Sequence, residues 1–209
     1  MLVRDIMSTA VVTIPVEGTV GRVCELMHER NIRHLPVLEG DRLVGVITDR
    51  DIGSATSALC LQPINPQGLV REVMVHPPKT AHPMDPVEDA ARTMRTLKIG
   101  CLPVVESEKL VGIITGIDLL DALLRLTGVD KPSGRVELCL ADRLGELARL
   151  TAFIAERHLN ILSILTYPEG HGDGRTVLRV NTLETRPLAE DLRRAGFEVL
   201  WPPAKPWQH

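Results

Sequence analysis

Aromatic side chains are almost missing from this sequence: two Trp, two Phe and one Tyr make up 2% of the chain. Its cores must therefore be built from Leu, Val, Ile, Ala and Met. A surplus charge of one sign is missing too. With 24 basic and 27 acidic residues, the chain has no general attraction for nucleic acid or an anionic membrane, and neither partner is expected. No apolar run approaches membrane-spanning length and no secretory signal pattern is present, so a cytoplasmic location is expected. Cys24, Cys60, Cys101 and Cys139 form no C-x-x-C pair, which favours buried reduced thiols over disulfides or a zinc site. The seven histidines make no H-E-x-x-H ligand set, so no metal is expected. Neither an activated nucleophile nor a carboxylate dyad stands out, and catalysis is not expected. What remains, 44% hydrophobic and 24% charged over 209 residues, is ordinary for a soluble protein of two or three small domains.

One stretch is written twice. Gly45-Val46-Ile47-Thr48-Asp49-Arg50-Asp51 recurs, 67 residues on, as Gly112-Ile113-Ile114-Thr115-Gly116-Ile117-Asp118. The same shift carries Met7 onto Met74, Thr13 onto Thr80, Met27 onto Met94, and Leu35-Pro36-Val37 onto Leu102-Pro103-Val104, with no gap. One supersecondary unit has been duplicated. Its order is strand, helix, strand, strand, helix: a strand over 11–14, a helix with the stripe Val20, Val23, Cys24 and Met27, and strands over 35–38 and 43–47. In the second copy Asp85, Pro86 and Glu88 are expected at the N-cap, N1 and N3 of the helix. Pro63, Pro66 and Gly68 mark the link between copies. Each unit leaves an apolar face, so the two should pack together.

In both copies an apolar strand ends at a hydroxyl residue, and a carboxylate follows three residues later. A helix N-terminus offers free N–H groups and the positive end of its dipole to a phosphate. Thr48 and Thr115 could add a hydroxyl, and Asp51 and Asp118 could accept the hydroxyls of a ribose. Both residue types also serve a helix without any ligand, by satisfying its own orphan donors at roughly 1 kcal/mol per cap.

With these motifs in view, residues 1–126 resemble tandem CBS domains, the pair called a Bateman module. The residues that carry the resemblance are the two G-h-h-T-x-x-D strings and the two Leu-Pro-Val segments. It implies a cleft between the copies for AMP, ADP, ATP or S-adenosylmethionine, with Thr48 and Thr115 toward phosphate and Asp51 and Asp118 toward ribose. The residues just before Leu-Pro-Val would line the same cleft: Ile32, Arg33 and His34 in one copy, Ile99, Gly100 and Cys101 in the other. Arg33 can grip a phosphate with its planar fork, His34 can add a donor, and Arg50 adds a cation where the second copy has Ile117. One phosphate-competent site at Thr48, Asp51, Arg33, His34 and Arg50 is therefore expected, with a less anionic second site at Thr115, Asp118, Ile99 and Cys101.

Thr127-Gly128 ends the last CBS helix, and a linker leads into a different pattern. Residues 135–140 alternate like a half-buried strand, and residues 144–155 carry the helical stripe Leu144, Leu147, Ala148, Thr151 and Ala155. Strands are expected over 160–165 and 176–182, a helix over 187–195, and a last strand over 197–201. The Gly-rich segment 169–174 reads as a hairpin loop, since no Lys-Ser or Lys-Thr helix follows it as in a phosphate loop. Strand-helix-strand-strand-helix-strand is the split βαβ plan. Asp142-Arg143-Leu144-Gly145-Glu146-Leu147 with Asn160-Ile161 resembles an ACT domain, although that family more often has Pro at the place of Leu144. This resemblance implies pairing between sheets and an amino acid held near Asp142, Leu144, Gly145 and Asn160. Without a ligand, Asp142 would cap the helix, Gly145 would permit close packing, and the domain would only dimerise.

The expected fold class is α+β: a tandem CBS pair of βαββα units with a C-terminal ferredoxin-like βαββαβ ACT domain. The expected boundaries are 1–66 and 67–130 for the CBS repeats, 134–202 for the ACT domain and 203–209 for an extended tail. This arrangement resembles the acetoin-utilisation B type of regulatory protein. The resemblance implies a homodimeric adenine-nucleotide sensor that acts on a partner such as a metabolic enzyme. The other reading is an amino-acid-responsive subunit in which the CBS pair is scaffold.

Overall fold

The duplicated pattern folds twice. A computed structural model describes residues 1–57, 65–169 and 173–204. Cys60, Pro63, the tip of the Gly-rich loop and the end of the tail lie outside the described residues. In the first copy β1 (Ile14–Pro15) lies parallel to β2 (His34–Glu39), which pairs antiparallel with β3 (Arg42–Thr48). Helices α1 (Val20–Arg30) and α2 (Asp49–Thr56) complete the unit. The second copy has α3 (Val87–Leu97), β4 (Cys101–Glu106), β5 (Lys109–Thr115) and α4 (Gly116–Thr127). Both hairpins shift register at the same place, Val37/Leu38 in one and Val104/Val105 in the other.

The helices follow their stripes, with two corrections. Helix α1 buries Val20, Val23 and Met27, and Thr19 caps it by accepting from Arg22 N at 3.3 Å. Cys24, expected on that stripe as a buried thiol, is exposed. It sits one residue past Val23, about 100° around the helix, at the edge of the apolar face. Helix α3 buries Val87, Ala90 and Met94, but its N-cap is Pro86 and not Asp85. The Asp85 carboxylate instead accepts from His82 N at 2.7 Å, closing the turn before the helix.

The two copies exchange their opening segments. Val3, fully buried, belongs to the core of the second copy with Met94, Leu102, Val104 and Ile114, and its N–H donates to Asp85 O at 2.9 Å. Val70, also fully buried, sits in the core of the first copy with Val23, Leu35 and Ile47, and its N–H donates to Gly18 O at 2.8 Å. Each buried valine contributes about 1.5–3 kcal/mol, so each copy leaves part of its core in the other. A sequence cut at residue 66 therefore does not separate two cores. Val46, Cys101 and Ile113 form a further small cluster that joins the hairpins.

The chain forms two compact bodies, Met1–Ala122 and Leu123–His209. In the second, β6 (Gly134–Ala141), β7 (Ile161–Glu169), β8 (Asp173–Val180) and β9 (Glu198–Trp201) make an antiparallel sheet in the order β7-β8-β6-β9. Val136, Leu138 and Leu140 alternate onto the core face, against α5 (Glu146–Ala155) and α6 (Arg186–Arg194). The expected stripe of α5 is on the wrong side. Leu144 is 106% exposed and Leu147 48%, whereas Leu150 and Ile154 are fully buried. Helix α5 starts only at Glu146, after Gly145 in the left-handed region at φ 89°. That phase turns Leu150, Phe153 and Ile154 inward, and Phe153 meets Phe197 edge-on with ring centroids 5.6 Å apart. Among the described residues no helix is long and apolar enough to cross a membrane.

Candidate functional site

The two Thr-x-x-Asp motifs form matching capping boxes. In the first copy Asp51 Oδ2 accepts from Thr48 N at 2.9 Å and from Thr48 Oγ1 at 2.7 Å, and Asp51 N donates to Thr48 Oγ1 at 3.3 Å. In the second, Asp118 Oδ2 accepts from Thr115 N and Oγ1 at 2.7 Å, and Asp118 N reaches Thr115 Oγ1 at 3.4 Å. Both motifs thus satisfy their own helix ends. Thr48 and Asp51 also line a hollow of about 360 Å³.

That hollow lies between the copies. The first copy supplies His34, Val46, Thr48, Asp49, Arg50 and Asp51; the second supplies Ile99, Gly100 and Cys101. Strand pairing explains the placement, since His34 stands directly across from Thr48, as Cys101 does from Thr115. The imidazole lies against Gly100, where an added Cβ would stand 2.5 Å from Nε2. Burial holds the His34 pKa below its ordinary value, opposed by Asp49, reinforced by Arg33 and opposed again by Asp51. Burial, with the Asp51 charge, pushes the Cys101 thiol up to about 12, so it stays a protonated wall group. Asp51 lines the same hollow as His34 of its own copy and Cys101 of the other.

The expected division into two sets of residues is therefore rearranged. Ile99, Gly100 and Cys101 share the hollow of Thr48 and Asp51. Ile32 packs against the first core, and Arg33 stands at the rim with its Nε 3.9 Å from Asp49 Oδ2. Sequence reasoning missed Val75, Pro77, Pro78 and Lys79, which bring the start of the second copy to the same hollow. An isolated bridge from Val75 to Val46 holds this segment there, and no periodicity in the sequence announces it. Among the described residues no group of three or more His, Cys, Asp or Glu could hold a metal ion.

The CBS-domain family model matches residues 3–56 and 70–125, more than half of the chain. The chain belongs to the CBS-domain family. An ACT-domain model matches residues 134–195, so the CBS pair is followed by an ACT domain. A CBS domain-containing protein of Dictyostelium discoideum is 34% identical over 60% of this chain and 93% of its own. Among solved structures, the CBS pair of protein MJ0100 in complex with 5'-methylthioadenosine and S-adenosyl-L-methionine is 29% identical, with a TM-score of 0.54, covering 63% of this chain and 98% of that one. CBSX2 in complex with AMP is 26% identical at a TM-score of 0.54, covering 60% and 97%. A Vibrio cholerae protein assigned to acetoin utilization, AcuB, is 30% identical at a TM-score of 0.54, covering 62% and 95%. CBS pairs also occur inside longer enzymes: this chain covers 22% of an inosine-5'-monophosphate dehydrogenase of Korarchaeum cryptofilum.

In the ACT domain the expected ligand residues form an open turn. Asp142, Leu144 and Gly145 are exposed between β6 and α5, and Gly145, not Asp142, is the N-cap, with no side-chain cap bond. Gly145 is needed for its positive φ and not for close packing, because an added Cβ would meet nothing within 4 Å. Asn160 ties the start of β7 to Asn181, whose Oδ1 accepts from Asn160 N at 2.8 Å. A carboxylate is well placed elsewhere, on the sheet. Glu137 accepts from Arg135 at 2.7 Å, Tyr167 at 3.0 Å and Arg175 at 3.4 Å. The Arg135 bond above all holds its pKa below the usual carboxylate range.

Proposed function

We propose that this CBS-ACT chain is a regulatory, non-enzymatic sensor whose ligand is an adenine nucleotide or S-adenosylmethionine. The observation that carries the reading is the Thr48–Asp51 box opening on a hollow whose far wall belongs to the other copy. Asp51 Oδ1 takes no part in the capping bonds and is available for ribose hydroxyls, while the start of α2 and Arg50 favour an anionic group. The known structures with AMP, 5'-methylthioadenosine and S-adenosylmethionine support an adenosine-containing ligand. Because the two walls come from different copies, a ligand that prefers one spacing of the walls shifts their population, and the ACT domain or a partner enzyme reads the shift. The working form is a homodimer. The outer side of α4 carries Ile117, Leu120 and Leu124 at 67, 56 and 43% exposure, an apolar stripe that favours a covering partner.

A thermal-shift panel of AMP, ADP, ATP, S-adenosylmethionine and amino acids tests this function. A ligand selective for the folded state, at 100 times its dissociation constant, adds roughly 2.7 kcal/mol. Stabilisation by an adenosine ligand that is lost in Asp51→Ala supports the reading. Stabilisation by an amino acid alone would transfer the sensing role to the ACT domain.

A further inference from the structure

Helix α4 is fastened at both ends. At its start Gly116 N donates to Gly100 O at 3.1 Å, and Gly100 lines the hollow and packs against the His34 imidazole. At its end Ser163 Oγ, on β7, donates to Thr127 O at 2.7 Å. We propose that α4 is the rod that carries the state of the hollow to the ACT sheet, with Gly100–Gly116 and Thr127–Ser163 as its two joints. This role rests on the reading of the hollow as a ligand seat.

The far joint is closely made. Gly128, at φ 71°, closes the helix: Gly128 N donates to Arg125 O at 3.2 Å and Val129 N to Leu124 O at 3.3 Å, the paired bonds of a Schellman motif. The Thr127 carbonyl, one of the orphan acceptors of a helix end, is left for Ser163. A side chain at Gly128 would begin 3.3 Å from Ser163 Oγ and 3.7 Å from Arg179 Cδ, so this turn lies directly on β7 and β8. Arg179 stands opposite Ser163 in the sheet. It donates to Ser133 Oγ at 3.1 Å, and Ser133 Oγ donates in turn to Lys131 O at 2.8 Å. The segment that follows the helix is thus fastened to the same strand.

Two irregularities of the chain create this joint. In a regular strand Ile161 and Ser163 would share a face. The register of β7 on β8 shifts between them, and the extra residue, Leu162, turns Ser163 away from the core while Ile161 still packs against it. The other irregularity breaks the duplication. Helix α2 ends at Thr56, which the 67-residue shift places on Leu123, yet α4 runs one turn further, to Thr127. That added turn belongs to the second compact body, and its last carbonyl is the one that Ser163 holds. A ligand that shifts the walls of the hollow moves Gly100; the start of α4 follows through Gly116, and a stiff helix passes the displacement to Thr127.

Hydrogen exchange of the whole chain, read by mass spectrometry with AMP, ATP and S-adenosylmethionine in separate runs, tests the rod. A saturating ligand should slow exchange over 98–104, beside the hollow. Through α4 it should also slow 161–166 and 176–180, by about fivefold or more, the lower end of couplings between sites. In Ser163→Ala the slowing beside the hollow should persist and that in β7 and β8 should disappear, while Ser163→Thr, which keeps the hydroxyl, should restore it. Slowing confined to the hollow in the unaltered chain, or slowing of β7 and β8 that survives in Ser163→Ala, would overturn the rod and leave the nucleotide sensor intact. Absence of any slowing with all three ligands would overturn both. An unchanged melting temperature of unliganded Ser163→Ala establishes that the hydroxyl was removed from a folded protein.

Discussion

The His34 imidazole rests on the backbone of Gly100, so that a side chain at Gly100 would begin 2.5 Å from Nε2. Glycine at this position keeps the two walls of the hollow together. Gly100→Ala should displace the imidazole from its present place. Because His34 is a movable side chain, the stability cost should be modest, about 1 kcal/mol. Ligand affinity should fall several-fold, since the wall moves into the site. Chemical denaturation and calorimetry on the same variant separate the two effects. A large loss of stability with unchanged affinity would refute this account of the wall.

Gly45 and Gly112 hold corresponding places in the two copies and each receives a methionine from the other. An added Cβ would meet Met74 Sδ at 2.6 Å above Gly45, and Met7 Sδ at 2.6 Å above Gly112. A backbone oxygen also stands 3.1 Å away in both cases, Val75 O in one and Ser8 O in the other. Gly45→Ala and Gly112→Ala should each destabilise the CBS pair by about 1–3 kcal/mol, the range for overpacking. Shortening the facing side chain should relieve part of the strain, so Gly45→Ala with Met74→Ala should lose less than the sum of the two single changes. Urea unfolding of the four-member cycle measures that coupling, and strict additivity would count against the contact.

The doubled G-h-h-T-x-x-D string made the hairpin strands, helices and capping boxes of the CBS pair readable, because burial period and cap chemistry are local. The opening strand expected over 11–14 is only Ile14–Pro15, and its counterpart is a single bridge, Ala81 to Val104. Which core receives Val3 is not local. The 67-residue shift aligns Met7 with Met74 equally well whether each packs at home or across the seam, so the exchange left no mark in the pattern. For the same reason the sequence separated Arg33 and His34 from Gly100 and Cys101, while the fold put His34, Gly100 and Cys101 around one hollow. Pro77, Pro78 and Lys79 were missed because extended backbone without periodicity carries no signal of what it faces.

Helix α5 offers a test of helix phase. Two apolar stripes run along it, Leu144-Leu147-Thr151 and Leu150-Phe153-Ile154, and the sequence alone favoured the first. Ile154 is fully buried and Leu144 is 106% exposed. Ile154→Ala should cost about 2–5 kcal/mol through lost burial and a cavity, while Leu144→Ala should leave stability within about 0.5 kcal/mol. Phe153 should matter too, since the Arg157 guanidinium lies 3.3 Å over its ring and pairs with Asp191 at 3.2 Å. Thermal unfolding of the two variants decides which stripe faces the sheet.

Stability should respond to pH in two separate windows. The His34 pKa is lowered from 6.5 chiefly by burial, so the folded state binds fewer protons there than the unfolded chain does. Stability from this group is present above the unfolded value and is lost as pH falls through the window below 6.5, with a slope of at most about 1.4 kcal/mol per pH unit for one proton. Glu137 behaves likewise in a more acid window. Its pKa lies below 4.5 mainly through the Arg135 bond, so its contribution is present above 4.5 and disappears as pH drops toward the folded value. His34→Gln should flatten the first window and leave the second, and Glu137→Gln should do the reverse. Phosphate beside His34 would favour its protonated form, so saturating nucleotide should also shrink the first window, and denaturation curves with and without ligand across pH 4 to 8 would record it. A first window that survives in His34→Gln would assign that titration to another group.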